Sequence, residues 1–217
     1  GSKCAINREK NLTGKCHICI FECGRNVVKR IEIITERLVL KPLGTEYFQT
    51  AKEYSMDYEN TKYMCRLPKE TSEEVMEFLS CVEAEWKKEK PEYFEFAIFY
   101  EGKHIGAVSI YFENGAGELG WILNKKYWGN GFAYEAAKAM IEYFAANMGT
   151  AHFVAHCDAE NVASYKIMEK LGMRKIGGQG KRRNRAASQD SFEYQYEMFA
   201  PNCDVGDEWE RFAIGES

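Results

Sequence analysis

Two glycines, Gly129 and Gly131, stand in a short loop between an apolar strand-like segment and a long amphipathic segment. Glycine lets the backbone approach a ligand closely and adopt conformations that other residues avoid. The first N–H groups of a following helix have no partner within that helix, and with the helix dipole they form a favourable site for phosphate. The sequence therefore predicts that this loop holds a pyrophosphate.

Two common phosphate-binding patterns do not account for the loop. A dinucleotide fingerprint needs a third glycine and an acidic residue after a second parallel strand, and a P-loop needs Lys-Ser or Lys-Thr after its last glycine. Here Phe132 follows Gly131, and the strand before the loop is predicted to be antiparallel. Neither a dinucleotide site nor a P-loop is expected.

The elements that position the loop are predicted from hydrophobic periodicity and from turn and capping residues. Strands are expected at residues 33–43, 93–100, 104–112, 118–123, 152–157, 173–177 and 192–199. Helices are expected at residues 44–55, 71–90, 133–148 and 161–171, with a capping box of Thr71 and Glu74 in the second. This order predicts an α/β fold of the α+β type, with a mixed, mostly antiparallel central sheet flanked by helices.

Composition narrows the class of protein. The 217 residues are 45% hydrophobic and 29% charged, with a net charge of -4. These values are typical of a globular domain and do not favour a nucleic-acid partner. No apolar run approaches the roughly 20 residues of a membrane span. The eight cysteines are scattered and no secretory signal is visible, so a cytoplasmic location with reduced thiols is expected.

Three segments, in the right order and spacing, resemble the GNAT superfamily of N-acetyltransferases. They are residues 35–43 (TERLVLKPL), residues 126–137 (KYWGNGFAYEAA) and residues 161–173 (NVASYKIMEKLGM). The family's acetyl-CoA motif is Gln or Arg, two residues, Gly, one residue, then Gly or Ala. Lys126 departs from its first position, whereas Gly129 and Gly131 match. The amino-acid sequence of these segments is similar to that of the branch that includes ribosomal-protein alanine acetyltransferases and small-amine acetyltransferases.

The resemblance implies a sheet whose fourth and fifth strands splay apart at a bulge, here between residues 118–123 and 152–157. Pantetheine would lie in this gap and pair with strand backbone like an added strand, through Ile122 and Leu123. Asn161 and Ser164, three residues apart on one helix, would face the thioester. The residues implied around the pyrophosphate are Trp128, Gly129, Asn130, Gly131, Phe132, Ala133 and Tyr134.

Acetyl transfer needs a base that takes a proton from the ammonium group, and an acid can protonate the leaving thiolate. Many family members place a Tyr acid on the last helix, where this chain has Met168. Ser164 is the candidate acid, with the alternative that it only bonds the helix end or the cofactor. Glu118 is the candidate base, with the alternative of a structural carboxylate. His152 and His156 share one face of the fifth strand and are interpreted as structural.

Two other features are weighed against simpler explanations. Cys16 and Cys19 form a C-x-x-C pair, with Cys4 and Cys23 nearby, but the second pair of a zinc site is missing, so no metal is expected. The basic run at residues 181–185 is interpreted as a solvated hairpin loop, with contact to an acidic acceptor or to RNA as the alternative.

The sequence therefore predicts an extension at residues 1–30, beginning with an apparent cloning remnant, a GNAT domain at residues 31–199 and a tail at residues 200–217. The predicted function is direct transfer of an acetyl group from acetyl-CoA to a primary amine, with a small-molecule acceptor favoured. Three alternatives stay open: acetylation of a protein N-terminus, an acyl-CoA-binding module without catalysis, and a zinc-dependent binding protein. No membrane partner is expected, and homodimer formation stays open.

Overall fold

The computed structural model describes residues 31–65, 71–185 and 189–200, together with the backbone of residues 17–18. The strands are β1 (His17–Ile18), β2 (Ile33–Ile34), β3 (Leu38–Pro42), β4 (Tyr93–Tyr100), β5 (Lys103–Glu113), β6 (Ala116–Leu123), β7 (His152–Asp158), β8 (Arg174–Arg182) and β9 (Ser191–Phe199). The helices are α1 (Phe48–Ser55), α2 (Tyr58–Thr61), α3 (Ser72–Trp86), α4 (Phe132–Met148) and α5 (Val162–Lys170).

All described strands form one sheet in the order β1-β2-β3-β4-β5-β6-β7-β9-β8. Only β6 and β7 run parallel, and the other neighbouring pairs are antiparallel. This confirms the predicted mixed, mostly antiparallel sheet. No helix among the described residues is long and apolar enough to cross a membrane.

Helices cover both faces of the sheet. The apolar stripe of α4 packs on one face, where Phe144 contacts the rings of Phe94 and Phe96. Helices α1 and α3 pack on the other face through a second buried cluster. The predicted capping box of α3 is present, with Thr71 and Glu74 bonding each other's backbone N–H groups. Local capping and helical periodicity thus determine the helices that pack on the two faces of the sheet.

The parallel pair β6–β7 opens into a gap. The two strands pair only at Gly117 and Glu118, and the rest of β6 has no register with β7. The predicted bulge is absent from this strand, because the register of β6 on β5 runs unbroken from Ala116 to Leu123. The gap therefore arises from divergence of two twisted strands rather than from an inserted residue.

Alternation along β6 decides which backbone groups face the gap. Asn124, just after the strand, donates its N–H to the carbonyl of Ile105 at 2.8 Å, so the backbone of every second residue points to β5. The backbone groups on the gap side are those of Leu119, Trp121 and Leu123. Ile122, predicted to pair with pantetheine, instead directs its backbone to β5.

Several predicted elements differ from the observed ones. The strand expected at residues 33–43 is split into β2 and β3 by a turn in which the Leu38 N–H bonds to the Thr35 hydroxyl. The helix expected at residues 44–55 begins with a short 3₁₀ turn at Thr45–Tyr47, and α2 was not predicted. Strand β8 is longer than expected because it continues into the basic run, and β9 begins one residue earlier than expected.

Two arginines of the basic run are anchored to other parts of the domain, whereas Lys181 and Arg183 are exposed as predicted. The Arg182 side chain is 8% exposed and pairs with Glu193 at 2.5 Å, and it donates to the carbonyl of Tyr63. Arg185 donates to the carbonyl of Ser55 at 2.9 Å. The interpretation as a solvated loop was wrong for these two residues, because each reaches carbonyl groups near α2 that are distant in sequence.

The chain termini are only partly described. Strand β1 pairs with β2, so residues 17–18 extend the sheet although they precede the predicted boundary at residue 30. Cys4, Cys16, Cys19 and Cys23 lie outside the described residues, as do residues 201–217.

Candidate active site

The glycine loop feeds directly into α4. Both Gly129 and Gly131 have φ of 78°, in the left-handed region that disfavours other residues. Gly131 is the N-cap of α4 and has no side chain to cap the helix. The N–H groups of Phe132, Ala133 and Tyr134 therefore have no acceptor within the helix, which is the arrangement that a phosphate site at a helix N-terminus requires.

An ion pair from the start of the domain holds this loop in place. Arg37 donates its Nε to Glu135 Oε2 at 2.7 Å and Nη1 to the carbonyl of Asn130 at 3.0 Å. Its guanidinium lies 4.6 Å from the Phe132 ring centroid. Burial opposes ionisation of Glu135, but hydrogen bonds from Thr35 and Arg37 outweigh it and keep the pKa of Glu135 below its ordinary value. The segment at residues 35–43 resembles the family's opening strand, but its contact with α4 was not predicted.

A cavity of about 600 Å³, here called the loop cavity, opens between this loop, β6 and α5. All but one of the predicted cofactor residues line it: Ile122, Leu123, Trp128, Gly129, Gly131, Phe132, Ala133, Tyr134, Asn161 and Ser164. The exception is Asn130, whose side-chain amide donates to the carbonyls of Tyr127 and Trp128 and so braces the loop. Phe132 and Ala133 are buried, so they offer backbone rather than side chain to a ligand.

The carbonyl of Leu123 is already engaged. Trp128 Nε1 donates to it at 2.9 Å, and the Asn60 amide donates to the same oxygen. Leu123 therefore keeps only its N–H for a ligand in the gap. Trp121 also directs its N–H and carbonyl to the gap, so the backbone of Trp121 and the N–H of Leu123 face any ligand that lies along this edge of β6.

A second cavity, here called the carboxylate cavity, has a volume of about 590 Å³ and lies on the α3 side of the gap. Its acidic lining residues are Glu95, Glu113, Glu118 and Glu193. The two cavities share five lining residues: Tyr63, Met64, Trp121, Asn161 and Ser164. These five residues form a common wall, where a ligand in one cavity can meet a ligand in the other.

Comparison with known proteins identifies the family. Residues 37–174 match the family described as Acetyltransferase (GNAT) domain. This chain belongs to the GNAT acetyltransferase family. The chain is similar to the uncharacterized N-acetyltransferase YnaD of Bacillus subtilis, with 32% identity over 151 residues that cover 68% of this chain and 85% of YnaD.

Solved structures agree on the fold. A GNAT-family acetyltransferase from Bacillus anthracis superposes with a TM-score of 0.65 and 28% identity, covering 78% of this chain and 98% of that one. A ribosomal-protein-S5-alanine acetyltransferase from Vibrio fischeri gives a TM-score of 0.66 at 20% identity over 82% of this chain and 98% of that one, which shows a shared fold alone. The predicted fold and enzyme class are confirmed: this is an acetyl-CoA-dependent N-acetyltransferase of the GNAT type.

In this GNAT enzyme, Ser164 lies in the first turn of α5, on the common wall. Asn161 caps the helix by accepting the Ser164 N–H at 3.2 Å. Among the described residues, the Ser164 hydroxyl has no hydrogen-bond partner, so it is not used to bond the helix end. Met168, where many family members have Tyr, is buried in the core.

The structure brings together Glu118 and His156, which the sequence treated separately. His156 Nδ1 lies 3.3 Å from Glu118 Oε1, and both side chains line the carboxylate cavity. His152, on the same face of β7, pairs with Glu197 at 3.0 Å and stacks on Phe199. The structural interpretation thus holds for His152, whereas His156 adjoins the candidate base. Pairing across β6 and β7 could not be seen in the sequence.

The sequence analysis missed a further carboxyl group in the carboxylate cavity, that of Glu95. It lies in the middle of β4, is 7% exposed, and accepts a hydrogen bond from the Tyr111 hydroxyl at 2.6 Å. Burial raises the pKa of Glu95 to about 7, and the bond from Tyr111 offsets this in part. The signal was available, because Glu95 is the single charged residue in the apolar strand YFEFAIFY.

Asp158 fixes the turn that places Asn161 and Ser164. It is 1% exposed, and it accepts hydrogen bonds from Ser191, from Asn184 and from the N–H of Glu160. Burial would raise the pKa of Asp158, but these hydrogen bonds outweigh burial and keep the pKa below its ordinary value. The turn between β7 and α5 therefore depends on the ionised carboxylate.

We expect Asp158→Asn to lower the free energy of unfolding by about 2 kcal/mol, because it weakens charge-assisted hydrogen bonds in a buried site. The lowered pKa gives wild type a contribution that is complete above the unfolded pKa of about 4 and is lost as the pH falls below it. Urea unfolding across this pH range measures both effects. Asp190→Asn, at an exposed carboxylate paired with Arg183, is the matched control and should cost under about 1 kcal/mol. Equal losses in the two variants would contradict this role of Asp158.

Proposed function

We propose that this enzyme acetylates a small primary amine that enters the carboxylate cavity. The observation that supports this proposal most directly is the common wall between the two cavities. Ser164, Trp121 and Asn161 line both cavities, so an acyl group delivered from the loop cavity meets an acceptor from the other side. A volume of about 590 Å³ lies in the range of small-molecule sites, roughly 300–1,000 Å³.

The charges in the carboxylate cavity favour a cationic acceptor. Four glutamates line it, and the one lysine or arginine in the lining, Arg182, is already paired with Glu193. An ammonium group entering the cavity therefore meets negative charge with little competing positive charge. Electrostatic complementarity of this kind favours amines and steers them to the site.

In the proposed mechanism, the N–H groups at the start of α4 hold the pyrophosphate of acetyl-CoA, and the gap-facing backbone of β6 positions its pantetheine. The N–H of Trp121 is the donor placed to stabilise negative charge that develops on the thioester oxygen. The amine nitrogen attacks the carbonyl carbon and the carbon–sulfur bond breaks. Glu118 accepts the first proton of the ammonium group before the attack. The Ser164 hydroxyl then gives its proton to the departing thiolate and regains one from the nitrogen of the collapsing adduct, so that the serine and the amide product are both neutral.

The role of Glu118 as base predicts a change in pH dependence. We expect Glu118→Gln to reduce kcat/KM by about 100-fold and to remove the contribution of this carboxylate to the rising limb of the pH–rate profile. Glu113→Gln is the matched control, because it makes the same change at an exposed residue that also lines the cavity. A Glu118→Gln profile that coincides with wild type would return Glu118 to a structural role with His156.

A panel of acceptors tests the proposal. Initial rates of CoA release are measured with alkylamines, with amines that carry further polar groups, and with short peptides that have free Ala or Ser N-termini. We expect small amines to give kcat/KM at least tenfold above the peptides. Peptides as the better substrates would instead identify Nα-acetylation, and binding of acetyl-CoA without acceptor-dependent release would identify a module that only binds acyl-CoA.

A further inference from the structure

Glu95 is a buried carboxyl group that has no balancing cation among the described residues. Glu95 lines the carboxylate cavity, and the hydrogen-bond partner of its carboxyl group is the Tyr111 hydroxyl. In the part of the chain that the structure describes, no lysine, arginine or histidine side chain pairs with it. Burying an ionised carboxylate is costly unless a cation or several donors compensate it. A cationic group of a ligand would supply the missing compensation.

A shallow groove connects Glu95 with the gap between β6 and β7. Glu95, Ser109 and Gly120 are direct neighbours across β4, β5 and β6, on the face that α1 and α3 cover. Gly120 has no side chain, and a Cβ there would lie 2.7 Å from Ser109 Oγ. The floor between Glu95 and the common wall is thus made of a glycine and a serine. Its length is about 10 Å, two strand spacings.

The charged groups at the ends of the groove suit two positive charges. Glu118 and His156 lie at the gap end, where the acetyl group is to be transferred. Glu95 lies at the other end. The remaining charges of the cavity lining are Glu113 and the pair Arg182–Glu193, whose charges cancel. A linear ligand with a cation at each end would match this arrangement.

We propose that Glu95 is the specificity residue of a second cation subsite, and that the acceptors of this enzyme are amines with a second ammonium group, such as linear aliphatic diamines. The nitrogen near Glu118 and Ser164 receives the acetyl group, and the nitrogen near Glu95 stays protonated and anchors the molecule. This inference rests on the proposed small-amine function and adds the chemical class of the acceptor.

The test compares diamines with monoamines of equal length. We measure kcat/KM of wild type for diaminobutane, diaminopentane and diaminohexane, and for butylamine, pentylamine and hexylamine, with saturating acetyl-CoA. We expect at least one diamine to exceed its monoamine by tenfold or more. Glu95→Gln keeps the shape of the side chain and an acceptor for Tyr111, and it should reduce that preference to below threefold, mainly through a higher KM for the diamine.

The control variant is Glu113→Gln, which removes the same charge at the exposed edge of the cavity. It should change the preference for a diamine over its monoamine by less than twofold. Equal turnover of diamines and monoamines by wild type would overturn this inference and leave the small-amine function intact, even if Glu95→Gln failed to fold. A parallel fall for both amine classes in Glu95→Gln would also overturn it, because Glu95 would then serve structure or the chemical step. No turnover of any amine, with turnover of peptides, would instead refute the proposed function itself.

Discussion

Replacing Gly131 with valine is expected to weaken acetyl-CoA binding by at least about 100-fold. The expected wild-type dissociation constant is micromolar, which corresponds to a binding free energy of about -8 kcal/mol. Gly131 has φ of 78°, which a β-branched residue adopts only with strain. Relief of that strain would rotate the peptide that presents the first N–H groups of α4, and the valine side chain would stand in the path of the pyrophosphate. Titration calorimetry on the folded variant measures the loss.

A second glycine with a similar φ serves as a control that distinguishes the effect of backbone strain from the loss of the binding site. Gly102 lies in the turn between β4 and β5 and has φ of 74°, and a Cβ added to it would meet no atom within 4 Å. Gly102→Val therefore imposes similar backbone strain away from the loop cavity, and we expect it to bind acetyl-CoA as wild type does. If Gly102→Val lost binding equally, global destabilisation would explain both variants, and the loop would lose its proposed role. Unchanged binding in Gly131→Val would refute that role directly.

Removing the hydroxyl of Ser164 is expected to lower kcat by about 100-fold or more, in line with loss of a positioned general acid. The dissociation constant of acetyl-CoA should stay within about twofold of wild type, because the described hydrogen bonds of Ser164 are made by its backbone N–H. Pre-steady-state rates and calorimetry on Ser164→Ala separate the chemical step from binding. No nearby described side chain supplies a replacement on α5, since Met168 is buried and Tyr165 packs towards Tyr194.

The control for Ser164→Ala is Ser80→Ala. Ser80 lies on α3, is exposed, and bonds the carbonyl of Met76 at 2.8 Å, so its loss should leave kcat unchanged. A Ser164→Ala variant that loses acetyl-CoA affinity but keeps kcat would make Ser164 a ligand contact rather than an acid. The chemical step would then depend on the Trp121 N–H, on Glu118 and on direct protonation by water.

Features that depend on neighbouring residues could be predicted from the sequence. The positive φ of Gly129 and Gly131, the capping box at Thr71 and Glu74, and the end of α4 at Gly149 all follow from residue type and local order. The same holds for the position of Asn161 and Ser164 on one turn of α5. These local rules were enough to bring nearly all the predicted cofactor residues to one cavity.

Features that depend on distant pairing could not be predicted in the same way. Arg37 meets Glu135 across 98 positions, and Glu118 meets His156 because β7 lies parallel to β6 for two residues before the strands separate. No periodicity or spacing encodes such contacts. The burial of Glu95 likewise depends on helices from another part of the chain, although a lone acidic residue in an apolar strand was a visible signal.

Amine-dependent release of CoA, measured together with the identity of the product, decides whether this enzyme acetylates small amines. Purified protein is mixed with acetyl-CoA and diaminobutane or butylamine, CoA release is followed in time, and the amine is analysed by mass spectrometry. We expect release that depends on the amine, equals the amount of N-acetylated product, and disappears in Gly131→Val. Release that is the same with and without amines or peptides, with no acetylated product, would show that this chain does not transfer acetyl groups to amines.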